Sequence, residues 1–152
     1  MNKILLFLLL AFFVSGCNEK EAVENWIKNT DTLRTNAKKN AAIVPYRNEQ
    51  HQILKAYFNE IIQMALAVKK DEKLIEALNE VVAESDLQKI CPKILISRRE
   101  WQAIIKNCTK NRYFLCSEEV RAYPDIVAAV RGLLNADHQS KFDKAEACKS
   151  AL

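Results

Sequence analysis

Residues 48–69 read NEQHQILKAYFNEIIQMALAVK, and this stretch decides the fold. Ile53, Leu54, Tyr57, Phe58, Ile61, Ile62, Ala65 and Val68 recur at intervals of three and four. That period places them on one side of an α-helix, as an apolar face wide enough for a bundle core. Just beyond, Asp71 suits a helix cap, and Leu74, Ile75, Leu78, Val81 and Val82 form a second apolar face. Two such helices joined by a short turn predict an antiparallel pair.

The pattern continues outward in both directions. Upstream, Ala41 to Arg47 contains Pro45 and reads as a connector. Before it, Val23, Trp26, Ile27, Thr30, Leu33 and Ala37 make a narrow helical stripe whose other side carries Asn, Thr and Lys. This first helix follows a short polar tether at residues 18–22. It either docks on the body or stands as a stalk. Downstream, Ser85-Asp86 and Pro92 bracket a turn or short helix bearing Cys91. Ser97-Arg-Arg-Glu100 matches a capping box opening a helix with Trp101, Ile104, Ile105 and Cys108. Residues 109–116, TKNRYFLC, read as mostly non-helical, with a new start at Ser117-Glu118-Glu119. Pro124 suits the first turn of a helix reaching Leu134, and Asp137 to Ala151 reads as one last helix.

Glycine supports the helical reading. The chain has two, Gly16 and Gly132, where ordinary usage near ~7% would give about ten. Hairpin turns and phosphate-cradling loops rely on glycine for positive φ or close backbone approach. The expected class is therefore all-α, a small disulfide-braced helical bundle.

The N-terminus, MNKILLFLLLAFFVSGC, says where that bundle works. Lys3 precedes an apolar run from Ile4 to Val14, and Ser15-Gly16 place small side chains before Cys17. An apolar segment of ~7–15 residues ending in small residues is a secretory signal, too short to span a bilayer. Its end resembles the lipobox of bacterial lipoproteins. That resemblance implies cleavage after Gly16 and acylation of Cys17, including palmitate, so that the membrane itself is a partner. A single chain anchors marginally and two or more anchor stably. Asn18, rather than Asp, follows the cysteine. By its likeness to the sorting pattern of enteric-type bacteria, Asn18 implies the outer membrane, facing the periplasm.

Removing residues 1–16 leaves 136 of 152, enough for a modest core. The expected organisation is a cleaved signal at 1–16, a lipid-anchored tether and first helix at 17–44, and a helical domain at 45–152. With Cys17 committed to lipid, Cys91, Cys108, Cys116 and Cys148 remain. Four thiols in an oxidising compartment predict two disulfides, with three connectivities open. Their spacings of 17, 8 and 32 residues fit no zinc site, and no C-x-x-C occurs.

Chemistry is sparse. The formal charge of +4 is small and spread along the chain, so no nucleic-acid partner is expected. His51 and His138 are the only histidines, and both read as solvent-facing. They leave too few donors for a metal, and no catalytic residue, cofactor or small-molecule substrate is evident. Val81-Val82-Ala83-Glu84-Ser85 is similar to the helix end bearing the catalytic glutamate of lytic transglycosylases. Those enzymes continue with a glycine-rich segment, which this chain lacks, so peptidoglycan cleavage is disfavoured. The expected function is a non-enzymatic, lipid-anchored interaction module contacting another envelope protein.

A narrower version of that function, exclusion, rests on Cys17-Asn-Glu-Lys, Val23-Glu-Asn-Trp-Ile-Lys, Thr32-Leu-Arg and the tail Ala147-Cys-Lys-Ser-Ala. These segments are similar to exclusion lipoproteins of conjugative elements, although those carry a cysteine near the position of Lys39 and are shorter. A structural component of a secretion or envelope complex is the further alternative.

Overall fold

The computed structural model describes residues 18–41, 43, 45–110 and 116–152, with side chains described except at 41, 110 and 116–121. Every regular element among them is helical. In chain order these are α1 (Glu19–Ala41), α2 (Asn48–Val68), α3 (Glu72–Ser85), α4 (Leu87–Ile94), α5 (Arg98–Lys110), α6 (Cys116–Gly132), α7 (Ala136–Lys144) and α8 (Glu146–Lys149).

Local chemistry sets the helix ends. The Asp71 carboxylate accepts the Lys73 N–H at 3.0 Å and caps α3. At α5 the Ser97 Oγ accepts the Glu100 N–H at 3.3 Å, while the Glu100 carboxylate accepts the Ser97 N–H at 3.2 Å. That exchange is the capping box read from the sequence. At α2, Gln50 accepts the Arg47 N–H and donates to the Asn40 and Ile43 carbonyls, folding the connector over the first turn.

Of the two expectations for the first helix, docking is the one the structure takes. Val23, Trp26, Ile27 and Ala37 belong to the same buried cluster as Tyr57, Ile61, Leu78 and Val82. One core therefore runs across the boundary expected between 44 and 45. Trp26 Nε1 donates to the Glu60 carbonyl at 3.1 Å, tying α1 to α2. The contact of Gln50 with Asn40 at the other end shows that α1 and α2 run antiparallel. Helices α2 and α3 each pack more extensively on α1 than on each other. The expected direct α2–α3 pair is thus replaced by two helices sharing α1 as their partner.

Tyr57 Oη donates to the Ile94 carbonyl at 2.8 Å, and Tyr123 Oη donates to the Ile96 carbonyl. Both phenols are buried, and desolvation holds their ionisation above the usual tyrosine range. They fix the 95–97 link, whose Leu95 and Ile96 side chains are fully inside. The Trp101 ring stacks on Tyr123 with centroids 4.4 Å apart.

Several expectations are corrected. The helix carrying Cys108 continues through Thr109 to Lys110, and residues 111–115 lie outside the described residues. Pro124 does not start a new helix. It sits inside α6, where burial of Tyr123, Ile126 and Val127 on either side offsets the lost backbone hydrogen bond. The last helix is two, because Ala145 is extended (φ −70°, ψ 122°) between α7 and α8. Ile62 is 40% exposed, at the edge of the core face of α2.

Cys91 and Cys148 are disulfide-bonded, with Cα atoms 5.2 Å apart and a sequence separation of 57. Cys108 is disulfide-bonded as well. The Cys116 side chain lies outside the described residues.

Candidate functional site

The lipid-bearing end of the body comes first. Cys17 and the signal lie outside the described residues, so the description begins at Asn18. The Asn18 carbonyl accepts the Ala22 N–H at 3.1 Å, and its side chain accepts the Lys20 N–H at 3.1 Å. Glu19 and Glu21 occupy the first turn, where carboxylates suit the positive end of the helix dipole. The tether expected at 18–22 is therefore helix from Glu19 onward, so the folded body starts two residues after the acylated cysteine.

Lys20 extends this restraint. Its ammonium lies 2.8 Å from a Glu84 carboxylate oxygen and 3.9 Å from Glu80, joining the start of α1 to the end of α3. The hydrogen bond that Lys20 donates to the Glu84 carboxylate raises the Lys20 pKa. Glu84 itself is exposed and ion-paired, unlike the apolar, proton-retaining cleft that a glycosidic general acid needs.

A groove of about 300 Å³ opens beside this end of α3. Val82, Ala83 and Leu87 form its apolar floor, and Asp86, Gln88, His138 and Lys141 stand around it. Asp86 links α3 to α4 with φ 65°, in the left-handed region that non-glycine residues seldom occupy. Its carboxylate accepts the Gln88 N–H at 3.2 Å and caps α4. On the far wall, Gln88 Oε1 accepts the Ala147 N–H at 3.0 Å, one helical turn from the Cys91–Cys148 disulfide. The groove is thus braced covalently by the C-terminal tail.

His138 gives the groove its directional chemistry. It is 8% exposed, and its Nδ1 lies 2.7 Å from Asn79 Oδ1. Asn79 Nδ2 donates to the Ile75 carbonyl at 2.8 Å, and Oδ1 also accepts the Asn135 N–H at 3.1 Å. Those two bonds fix which amide atom faces the ring. An amide oxygen only accepts, so Nδ1 carries the hydrogen, and in the neutral ring Nε2 is left with its lone pair. No hydrogen bond to Nε2 is made among the described residues, and the ring lines the groove.

The Asn79–His138 pair offers a fixed acceptor. Among the described residues the groove is lined by no hydroxyl or thiol. Lys141 contributes one cation, itself 3.5 Å from Asp137.

The expectation that both histidines face solvent is corrected. His138 is covered by Asn79 from α3, and His51 is 1% exposed. Asn79 is not among the residues that the sequence singles out. Its only signal was an amide beside the apolar face of Leu78, Val81 and Val82, with nothing to indicate a partner 59 residues away.

Comparison with known proteins bears on the N-terminus. Residues 1–18 match the family model for the prokaryotic membrane lipoprotein lipid attachment site. No curated protein and no solved structure matches the chain. The chain therefore carries a bacterial lipoprotein signal, and lipid on Cys17 anchors it in the cell envelope. No helix among the described residues is long and apolar enough to cross a membrane.

Proposed function

We propose that this lipoprotein is a non-enzymatic interaction module, held on the periplasmic face of the outer membrane and contacting another envelope protein. The observation that carries this reading is the groove beside the lipid-bearing end, with the His138 acceptor held inside it. A rigid start at Glu19 supports it further. Acyl chains on Cys17 followed by a helix of 23 residues, roughly 35 Å long, present the groove at a restricted distance from the bilayer. Asn18 after the lipid cysteine is the basis for the outer membrane and its periplasmic face.

In intact cells, crosslinking followed by mass spectrometry of the membrane fraction should recover one dominant envelope protein with the acylated chain. Palmitate labelling should mark the parent and not a Cys17→Ser variant. Crosslinks absent from the parent, or spread evenly over abundant envelope proteins, contradict the reading.

Exclusion of conjugative transfer is the second reading, favoured by the resemblance of residues 17–28 and the tail at 147–151. Val23, Trp26 and Ile27 of that set are core residues and Cys148 is in a disulfide, so the likeness falls on positions that build the fold. Expression in a recipient alone should then lower the frequency of DNA transfer into it, and an unchanged frequency rules this reading out. A component of a secretion or envelope complex would instead co-purify stably with its partner subunits.

A further inference from the structure

We infer that the outer face of α2, at its C-terminal end, rests on the leaflet that holds the acyl chains. Ile62 and Leu66 enter the headgroup boundary there, and Lys69 and Lys70 meet lipid phosphates. The lipid anchor at Cys17 is the only premise, whether or not a protein partner is found.

Helix geometry brings this face to the anchored end. Glu19 follows Cys17 by two residues, so chain reach keeps the acylated cysteine within about 7 Å of the start of α1. The Trp26–Glu60 hydrogen bond pairs α1 with the antiparallel α2. Counted from that contact at 1.5 Å per residue, Glu19 and Val68 both lie about 10–12 Å away, toward the same end. Leu66 is therefore nearly level with the start of α1, and Ile62 sits one helical turn behind it.

The face has the composition of an interfacial helix. Between residues 59 and 70 the exposed positions are Asn59, Ile62, Gln63, Leu66, Lys69 and Lys70. Their spacing places them on one side, while the half-buried Glu60 lies off to its flank. Two large aliphatics and two ammoniums thus share a face with no carboxylate. Apolar side chains of such a face sink into the boundary, and lysine stems reach back to the phosphates. Scattered surface aliphatics such as Ile43 and Leu152 are ordinary, but Ile62 and Leu66 are neighbours at i and i+4.

Charge decides which way the body leans. Glu19 and Glu21 stand in the first turn of α1, and Glu80 and Glu84 of α3 face a single ammonium, Lys20. Asp71, next after Lys70, is engaged as the cap of α3. Lipid phosphates attract Lys69 and Lys70 and repel the carboxylates of the α3 side, which turns α2 toward the leaflet. The acyl chains already hold the face beside the bilayer, so its contact forms at high effective concentration and needs little intrinsic affinity.

The test uses the mature acylated protein in nanodiscs of phosphatidylethanolamine with a minority of phosphatidylglycerol, doped with a headgroup-nitroxide lipid and read by methyl NMR. The Ile62 and Leu66 methyl signals should be lost to the nitroxide, while those of Ile43, at the far end, and of Ala83, exposed on the α3 side, are kept. Replacing phosphatidylglycerol by phosphatidylcholine should restore part of the lost signal. In the double variant Ile62→Gln, Leu66→Gln, both changes fall at exposed positions, so the spectrum of the fold is kept; the Asn59 and Gln63 amide signals, lost in the parent, should return. Equal loss at Leu66 and Ala83 means a body standing upright, and retention of both Ile62 and Leu66 means a body held away from lipid; either result overturns the inference. Contacts from Ile62 to a second copy in mixed-isotope discs, with no loss to the nitroxide, would overturn it in favour of self-association.

Discussion

Asn79 Oδ1 and His138 Nδ1 meet at 2.7 Å, joining α3 to α7 through a single amide oxygen that also accepts the Asn135 N–H. One atom therefore holds the start of α7 and sets the tautomer of the groove histidine. Asn79→Leu should leave the buried His138 Nδ1–H and the part-buried Asn135 N–H without their acceptor and cost about 1–3 kcal/mol of stability. Denaturant midpoints compared with the parent check this, and a variant of unchanged stability would show that the amide is dispensable.

The tail is held to α4 by the Cys91–Cys148 disulfide, by Ala147 donating to Gln88, and by Arg98 N–H donating to the Ser150 carbonyl. Replacing both cysteines with serine should lower stability by about 2–4 kcal/mol, chiefly by freeing the unfolded chain over a long loop. Calorimetry of the oxidised protein against the double serine variant measures the effect.

A second disulfide is predicted by elimination. With Cys91 and Cys148 paired and Cys17 acylated, the partner predicted for Cys108 is Cys116. Non-reducing peptide mapping should recover a Cys108–Cys116 crosslinked peptide. A Cys108–Cys91 peptide would contradict the connectivity.

At α5, burial pushes the Glu100 carboxyl up, but the Lys38 ammonium and the Ser97 hydroxyl and N–H outweigh it and hold it below its ordinary value of 4.5. A depressed pKa contributes stability that is present above that value and lost as pH falls through the lower, folded one. The deficit of Glu100→Gln relative to the parent should therefore be full at neutral pH and shrink on acidification. Ser97→Ala, which removes the cap from the other side, should cost about 1 kcal/mol at neutral pH. Urea titrations between pH 7 and 3 check both.

The helices were legible because their signals are local. The three-and-four spacing from Ile53 to Val68, the Asp71 cap and the Ser97–Glu100 box each need only neighbouring residues. The features that sequence obscured depend on distant ones. Nothing near Val23 says that its stripe docks on α2 and α3 rather than standing free. Pro124 reads as a helix start on its own, and only the packing of its neighbours keeps it inside α6. His138 reads as solvent-facing because its cover, Asn79, lies 59 residues away in the chain. The lipid signal needed no fold at all, since its reader is the processing machinery acting on residues 1–17.

The central claim is tested most directly by a photocrosslinking amino acid placed at Ala83, on the groove floor, and separately at Gln52, exposed near the other end of α1. In intact cells the Ala83 position should yield one discrete adduct with an envelope protein, lost when Ala83 is crosslinker-bearing in a Cys17→Ser background, while Gln52 yields none of it. Equal adducts from both positions, or an Ala83 adduct that persists without the lipid anchor, would contradict the account.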